Sequence, residues 1–412
     1  MADSAVTPVP HPTRALVLST GAFTICFAVW TIFAIIGLQI RETLSLSETQ
    51  FGLLVGMPIL TGSLIRVLLG VWTDRLGGRT VFTLTMLAAA AATFLLSFAQ
   101  TYPQFLLAAL GVGIAGGSFA VGVAYVSRFY PAGRQGTALG IFGVGNVGAA
   151  VTKFAAPFLM LALGWQGAAQ VYAAVLALTA VLFWWLSEED PVTAARGRGE
   201  APARSFAAEF APLADIRVLR FSLYYFFVFG GFVALALWLP RYLVGVYGFD
   251  VASAGMVGAA YSIPGSIFRA WGGALSDRHG ARAVLYWTFG VSALAALALS
   301  LPLGAAGQPG LSPAAFIALV FVLGLFMAIG KAAVFKHIPV YYPQNVGAVG
   351  GMVGMIGGLG GFVLPIAFGW LKDATGLWSS CFMLLFLIVA ACFAWMHLTV
   401  RRLDRTPAGQ PA

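Results

Sequence analysis

The sequence predicts an all-α polytopic membrane protein, with twelve transmembrane helices in two pseudo-symmetric six-helix bundles. Three observations carry this reading. The chain of 412 residues is 60% hydrophobic and only 9% charged, whereas soluble domains carry about 25% charged residues. Apolar runs recur along the whole length, each near the roughly 20 residues that a helix needs to cross a bilayer. A segment also repeats: GSLIRVLLGVWTDRLGGR at 62–79 returns as GSIFRAWGGALSDRHGAR at 265–282. Gly62/Gly265, Arg66/Arg269, Gly70/Gly273, Asp74/Asp277, Arg75/Arg278, Gly77/Gly280 and Arg79/Arg282 keep one constant offset of 203 residues. A repeat of half the chain length indicates two related halves rather than a solenoid. The alternating segments of about 10 residues that a membrane β-barrel needs are absent.

Six runs, at 15–40, 50–73, 80–99, 104–127, 136–161 and 165–187, come first. Six more, at 217–245, 252–275, 283–305, 312–338, 347–371 and 376–398, come second. Between them the stretch 188–216 is polar and rich in Pro, Ala and Arg, which marks a linker. The expected organisation is a first bundle at 1–187, the linker, and a second bundle at 217–412. Residues 1–14 are polar and proline-rich and the first apolar run is long enough to span, so no cleavable signal peptide is expected.

Charge placement gives the orientation. Arg41, Arg241 and Lys372 fall in loops on one side, and Arg66, Lys153, Arg269, Lys331 and Lys336 fall inside apolar runs. The other fifteen of the 23 Lys and Arg lie on the side of the termini and linker. That bias makes this side cytoplasmic, and it accounts for the net charge of +9 without a nucleic-acid partner. All 14 Asp and Glu lie in loops, tails or helix ends, so the apolar runs hold five bases and no carboxylate. Cys26, Cys381 and Cys392 sit in apolar segments without CxxC or Cys/His spacing, as small core or lipid-facing residues do. His11, His279, His337 and His397 form no catalytic or metal constellation, and no phosphate-binding motif occurs. No enzyme activity, cofactor, metal site or ATP coupling is expected.

An arginine at mid-helix costs about 2.5–3.5 kcal/mol on insertion scales, so it normally faces a cavity or a partner. Arg66 and Arg269 have no carboxylate in the apolar runs to pair with. The missing partner fits a small anion, because the guanidinium fork offers parallel N–H donors and stays charged. Either arginine alone could snorkel or bond to backbone carbonyls. Two at matched positions of two halves point to one shared central site.

The pattern G-x-x-x-D-R-x-G-x-R stands at 70–79 and again at 273–282. It resembles the loop signature of the major facilitator superfamily. The resemblance implies two bundles rocking about a midplane site, with Asp74, Arg75, Arg79, Asp277, Arg278 and Arg282 making the contacts that latch the outward-open state. Two glycine-rich stretches, 113–148 and 330–361, echo each other: Tyr130-Pro131 matches Tyr342-Pro343. Their segments GGSFAVGVAYVS, GTALGIFGVGN and GAVGGMVGMIGGLGGF resemble the two nitrate signatures of the nitrate/nitrite porter family. This resemblance implies that Arg66 and Arg269 bind the anion and that Asn146 adds a neutral hydrogen bond. It further implies that Phe119 and Phe229 sandwich the flat anion and close the gates, while Tyr225 donates an O–H. A monomer in the cytoplasmic (inner) membrane of a bacterium is the family expectation.

Lys153, Lys331, Lys336 and His337 are the candidate proton carriers in the apolar runs. A buried lysine or a histidine can change charge near neutral pH, although Lys336 and His337 also fit snorkelling at the helix end. This set resembles the proton-linked branch of the family. The expected function is nitrate import by nitrate/proton symport, with nitrate, protons and the lipid bilayer as partners. Nitrate/nitrite antiport on the same fold, or transport of another small monovalent anion such as a short carboxylate, are the alternatives. A transport-like sensor is disfavoured, because the linker and tails leave no room for a signalling domain.

Overall fold

The computed structural model describes residues 11–46, 48–197, 211–249, 251–301 and 310–405. Twelve helical rods follow the apolar runs. The first is α1, Pro12–Trp30 with a continuation at Phe33–Leu44. Next come α2 (Glu48–Leu76) and α3 (Gly78–Leu96). Then α4 runs through Tyr102–Val112, a 3-10 turn at Gly113–Gly117 and Ser118–Ser127. Rod α5 runs through Gln135–Gly143, a 3-10 turn at Val144–Val147 and a helix from Gly148 to a kink at Gly164, where φ is +71°. Beyond that kink α6 continues to Leu186. After the linker, α7 comprises Ile216–Tyr225, a π turn at Phe226–Gly231 and Phe232–Tyr247. The remaining rods are α8 (Val251–His279), α9 (Ala281–Ser300), α10 (Pro313–Tyr341), α11 (Val346–Thr375) and α12 (Ser380–Arg405). Among the described residues, ten helical stretches are long and apolar enough to cross a membrane. Part of the expected linker, 198–210, and the end of the ninth run lie outside the described residues.

The matched loops fold alike because their glycines allow it. Gly77 and Gly280, the glycines of the two D-R-x-G turns, have φ of +88° and +84°. A residue with a Cβ rarely adopts that conformation. Each turn therefore reverses the chain within about two residues and leaves its aspartate on the last turn of α2 or α8.

Those aspartates reach across to the other half. Asp74 accepts backbone N–H bonds from Gly347 at 3.0 Å and Ala348 at 2.8 Å, at the start of α11. Asp277 accepts from the backbone N–H groups of Gly136 at 3.1 Å and Thr137 at 2.7 Å, at the start of α5, and from the Thr137 hydroxyl at 2.7 Å. A carboxylate at a helix N-terminus satisfies orphan N–H groups and complements the dipole. Each half thus caps a helix of the other. The approach is possible because the touching residues are glycines: a Cβ on Gly70 would collide with the Gly347 carbonyl, and one on Gly273 with that of Gly136.

Each aspartate also holds a base. Arg128 reaches Asp74 at 2.7 Å and Asp190 at 3.2 Å, with both carboxylates fully buried. Lys336 pairs with Asp277 at 2.5 Å and donates to the Ala132 carbonyl. Arg79 and Arg282 of the repeated motif make contacts of their own. Arg79 stays in its own half, donating to the Trp184 carbonyl and lying 4.3 Å from the Trp184 ring centroid. Arg282 donates to the Tyr341 hydroxyl at 3.1 Å, also within its half. Arg75 and Arg278 are exposed. The caps across the halves belong to the aspartates, because a short acceptor can enter the N-terminal turn of a neighbouring helix.

The linker is not featureless where it is described. Asp190 begins a short helix, Pro191–Gly197, accepting from Thr193 N–H at 3.0 Å. It also accepts from Gly78 N–H at 3.3 Å, so the start of the linker is fastened under α2 and α3.

Charge-assisted hydrogen bonds are worth about 1.5–3 kcal/mol. Asp74→Ala is therefore expected to speed hydrogen exchange of the Gly347 and Ala348 amides at least about tenfold, while Arg79→Ala leaves it unchanged. Equal exchange in wild type and Asp74→Ala would contradict the cross-half cap.

Candidate functional site

Arg66 and Arg269 stand eight residues before Asp74 and Asp277, which places them about 12 Å deeper along α2 and α8. Both are 1% exposed. Arg66 spends two donors on backbone: Nε on the Gly116 carbonyl at 3.2 Å, and Nη1 on the Gly354 carbonyl of the other half at 2.7 Å. Arg269 does the opposite. Its Nε and Nη1 are buried without a well-aligned hydrogen-bond partner, and the Tyr225 hydroxyl beside this guanidinium has no acceptor for its O–H. Leaving a buried donor unpaired costs about 1–3 kcal/mol, and more for a charged one. No described Asp or Glu forms an ion pair with either arginine. Orphaned donors on a cation and a phenol define a place for an acceptor that carries negative charge.

Aromatic rings shape this place. The Phe119 ring centroid lies 5.6 Å from the Arg66 guanidinium carbon and 4.8 Å from that of Arg269, so one ring gathers both cations. The Tyr225 ring runs parallel to Phe119 (6.4 Å, 8°) and to Phe229 (5.1 Å, 3°). The π turn at Phe226–Gly231 follows Tyr225 directly and contains Phe229; its wider step re-aims side chains on either side of it. Phe335 stands edge-on to Phe119 at 5.0 Å and to Tyr225 at 4.6 Å. Gly143 lies so close to the Arg269 side chain that a Cβ would overlap Nε.

Next to this nest is a cavity of about 590 Å³, lined by parts of α1, α2, α5, α7, α8 and α10. Its deeper lining includes Trp30, Asn146, Phe229 and Lys331, and it extends to Ala34, Lys153 and Met256, which are exposed. These last residues lie toward the face opposite the linker. Neither arginine lines the cavity. Trp30 and Phe229 do, and their ring centroids are 5.7 and 5.8 Å from the Arg66 guanidinium carbon. A thin aromatic layer thus separates Arg66 from the open space. Asn146 reaches the cavity because the 3-10 turn Val144–Val147 interrupts α5 there.

The bases expected to carry protons separate into two groups. Lys331 is 2% exposed, lines the cavity and holds Nζ 3.2 Å from the Phe232 ring centroid. Lys153 is on the outer part of the same cavity. Lys336 does not reach it, because its ammonium is held by Asp277. His337 lies flat on Phe221, at 5.1 Å and 1°, in a different cavity at the linker end. Sequence reasoning missed Trp30, Phe335, Arg128 and Asp190. Phe335 was findable, being next to Lys336 in the second glycine-rich stretch; Trp30 carried no signal beyond its residue type.

The arrangement can hold a small anion and release it to one side, and it contains no nucleophile–base pair. Among the described residues no group of His, Cys, Asp and Glu could hold a metal ion. A family model described as "Major Facilitator Superfamily" matches residues 18–311 and again 251–412. The chain belongs to the major facilitator superfamily. It is a transporter of the multi-pass membrane class rather than an enzyme. Solved superfamily structures superpose closely at low identity. The xylose symporter XylE gives a TM-score of 0.73 at 14% identity, over 94% of this chain and 95% of that one. FucP in its outward conformation gives 0.70 at 18%, over 93% and 99%. Among curated relatives, the "Probable nitrate/nitrite antiporter NarK1" of Thermus thermophilus is 44% identical, covering 96% of this chain and 93% of that protein. The "Nitrite extrusion protein" of Bacillus subtilis is 31% identical, over 92% and 93%.

Tyr225→Phe removes one orphaned donor and keeps the ring stack. It is expected to weaken anion binding by about 1.5–3 kcal/mol, roughly ten- to hundredfold, read as the anion concentration that half-maximally raises the melting temperature. Phe229→Ala, which opens the aromatic layer, is expected to speed anion release in stopped-flow measurements.

Proposed function

We propose that this transporter carries nitrate by alternating access, with the anion held between Arg66 and Arg269. The single observation behind this is the buried, symmetry-matched arginine pair, with Arg269 donors left without a well-aligned partner and the Tyr225 hydroxyl without an acceptor. A trigonal monovalent oxoanion fits two planar forks and parallel aromatic faces. The relatives' names support nitrate and nitrite as the anions. Under this reading the two rocking bodies are residues 1–187 and 217–412, the linker side is cytoplasmic by its excess of arginine, and the chain works in the cytoplasmic membrane. The aspartate caps then close the cytoplasmic side.

The pair also supplies a coupling rule. An empty site leaves two cations facing each other at low dielectric, which opposes closure. The anion cancels that repulsion and permits occlusion; an exchanger would stay locked when empty, whereas a symporter returns empty only if another charge changes, the role proposed below for Lys331 or Lys153.

For the driving force we propose proton-coupled import. Bringing in one monovalent anion against an inside-negative potential costs about 2.3 kcal/mol per 100 mV, so at least one proton must accompany it. Lys331 supports this reading: it is buried, lines the cavity and has no carboxylate against it among the described residues. Lys153 is the second candidate. The competing reading is one-for-one exchange of nitrate with nitrite, which moves no net charge and needs no proton site. The name of the Thermus relative favours it.

Proteoliposomes at zero membrane potential separate the two. Nitrate uptake into empty vesicles under an acidic exterior is expected, and it should be lost in Lys331→Gln. Uptake only into vesicles loaded with nitrite at equal pH would replace symport by exchange. No uptake in either arm would remove nitrate as the substrate. Separately, Arg66→Lys and Arg269→Lys are each expected to lose at least about 2 kcal/mol of nitrate binding, roughly thirtyfold, as a point charge replaces a bidentate fork.

A further inference from the structure

A second cavity, of about 500 Å³, lies at the linker end between α7, α9, α10 and α12. The transport reading makes no use of it. Among the described residues four arginines line it, Arg217, Arg220, Arg282 and Arg402, against one carboxylate, Asp215, and Arg402 has a partner of its own. Asp215 is already engaged: it accepts the Tyr342 hydroxyl at 2.5 Å and pairs with Arg217 at 3.2 Å. Arg220 has no carboxylate partner among the described residues. Tyr224 also lines this cavity; it is 2% exposed, and its hydroxyl is buried with no hydrogen-bond partner. Trp395, Met396 and Val400 supply an apolar wall beside these donors.

An excess of guanidinium forks with an unpaired phenol beside them is a donor set for a multiply charged oxoanion. The apolar wall fits the glycerol and acyl portion of an amphiphile better than bulk water. We propose that this cavity binds a phosphate group, carried by an anionic phospholipid of the adjoining leaflet or free in solution, and that its occupancy holds the linker side closed. Two chain connections give it that effect. Tyr224 directly precedes Tyr225, whose ring lies parallel to Phe119 and Phe229 at the arginine pair. His337, in the cavity wall, directly follows Lys336, which holds Asp277. An occupant bridging α7 and α10 therefore braces the central site and one of the aspartate caps together.

The test uses the full chain in nanodiscs of phosphatidylcholine, read by thermal unfolding. One arm adds phosphatidylglycerol to the discs, and another adds inorganic phosphate to the buffer. Wild type is expected to be stabilised in at least one arm. Arg220→Gln and Arg282→Gln should each weaken that response about fivefold, the worth of one basic residue near an anionic surface. Arg401→Gln, an exposed base outside the cavity, should not change it. A response to phosphatidylglycerol alone identifies a lipid as the carrier; an equal response to phosphate with the same variant pattern identifies the free ion. No stabilisation of wild type in either arm overturns the proposal. So does a response that Arg220→Gln, Arg282→Gln and Arg401→Gln leave equal, since that is attraction to any basic surface.

Discussion

The structure depends on a carboxylate of each half ending inside the first turn of a helix in the other. Asp74 and Asp277 satisfy backbone donors that would otherwise be buried and unpaired where α11 and α5 begin. This fixes α2 beside α11 and α8 beside α5 at one end of the molecule. It also fixes how deep the arginines lie, because each stands a set number of residues from its aspartate. Separating the halves there would cost more than surface contact: two helices would lose their caps, and the Lys336 ammonium would lose the Ala132 carbonyl. Water must replace those partners, so hydration of this end and separation of the halves are one event.

The central site obeys the opposite rule. The backbone donors at the caps are matched by the two aspartates, whereas Arg269 and Tyr225 hold donors without acceptors. Proteins rarely leave buried charge unpaired. A binding site for a charged ligand is where the shortfall is useful, since the ligand itself completes the network. Phe119, Phe229 and Trp30 lower the local dielectric around the pair, which strengthens both the repulsion when the site is empty and the attraction when it is filled.

Much of this was legible in the sequence. All twelve rods fall on the apolar runs, since run length and turn glycines decide them. The repeat located both arginines and both aspartates, because position along a helix converts directly into depth. What sequence could not show is which partner a loop charge chooses. Arg79 and Arg282 look equivalent to the aspartates in the motif, yet they stay within their halves because their length lets them reach a nearby carbonyl or hydroxyl first. Arg128 and Lys336 play matching parts from unmatched positions: one lies two residues before its Tyr-Pro pair and the other six, a difference of one helical turn. A turn shifts a long side chain along the same face, so the roles correspond while the alignment does not. The parallel run of Tyr225 with both phenylalanines was hidden too, since a π turn has no firm sequence mark.

The two seams between the halves are unequal. Along α2 and α11 contact extends from Asp74 and Gly347, past Arg66 and Gly351, to Gly56, where a Cβ would come 3.0 Å from the Phe362 ring. The large cavity is lined by α5 and α8 and by only Val55 and Ile59 of α2. One seam is therefore sewn along its length, and the other from the linker end to the level of Gly143 and Arg269. The molecule is built like a book, with its spine at α2 and α11 and its open edge between α5 and α8. On the transport reading proposed above, cargo enters at the fore-edge, and the contact along the spine limits how wide the mouth can become.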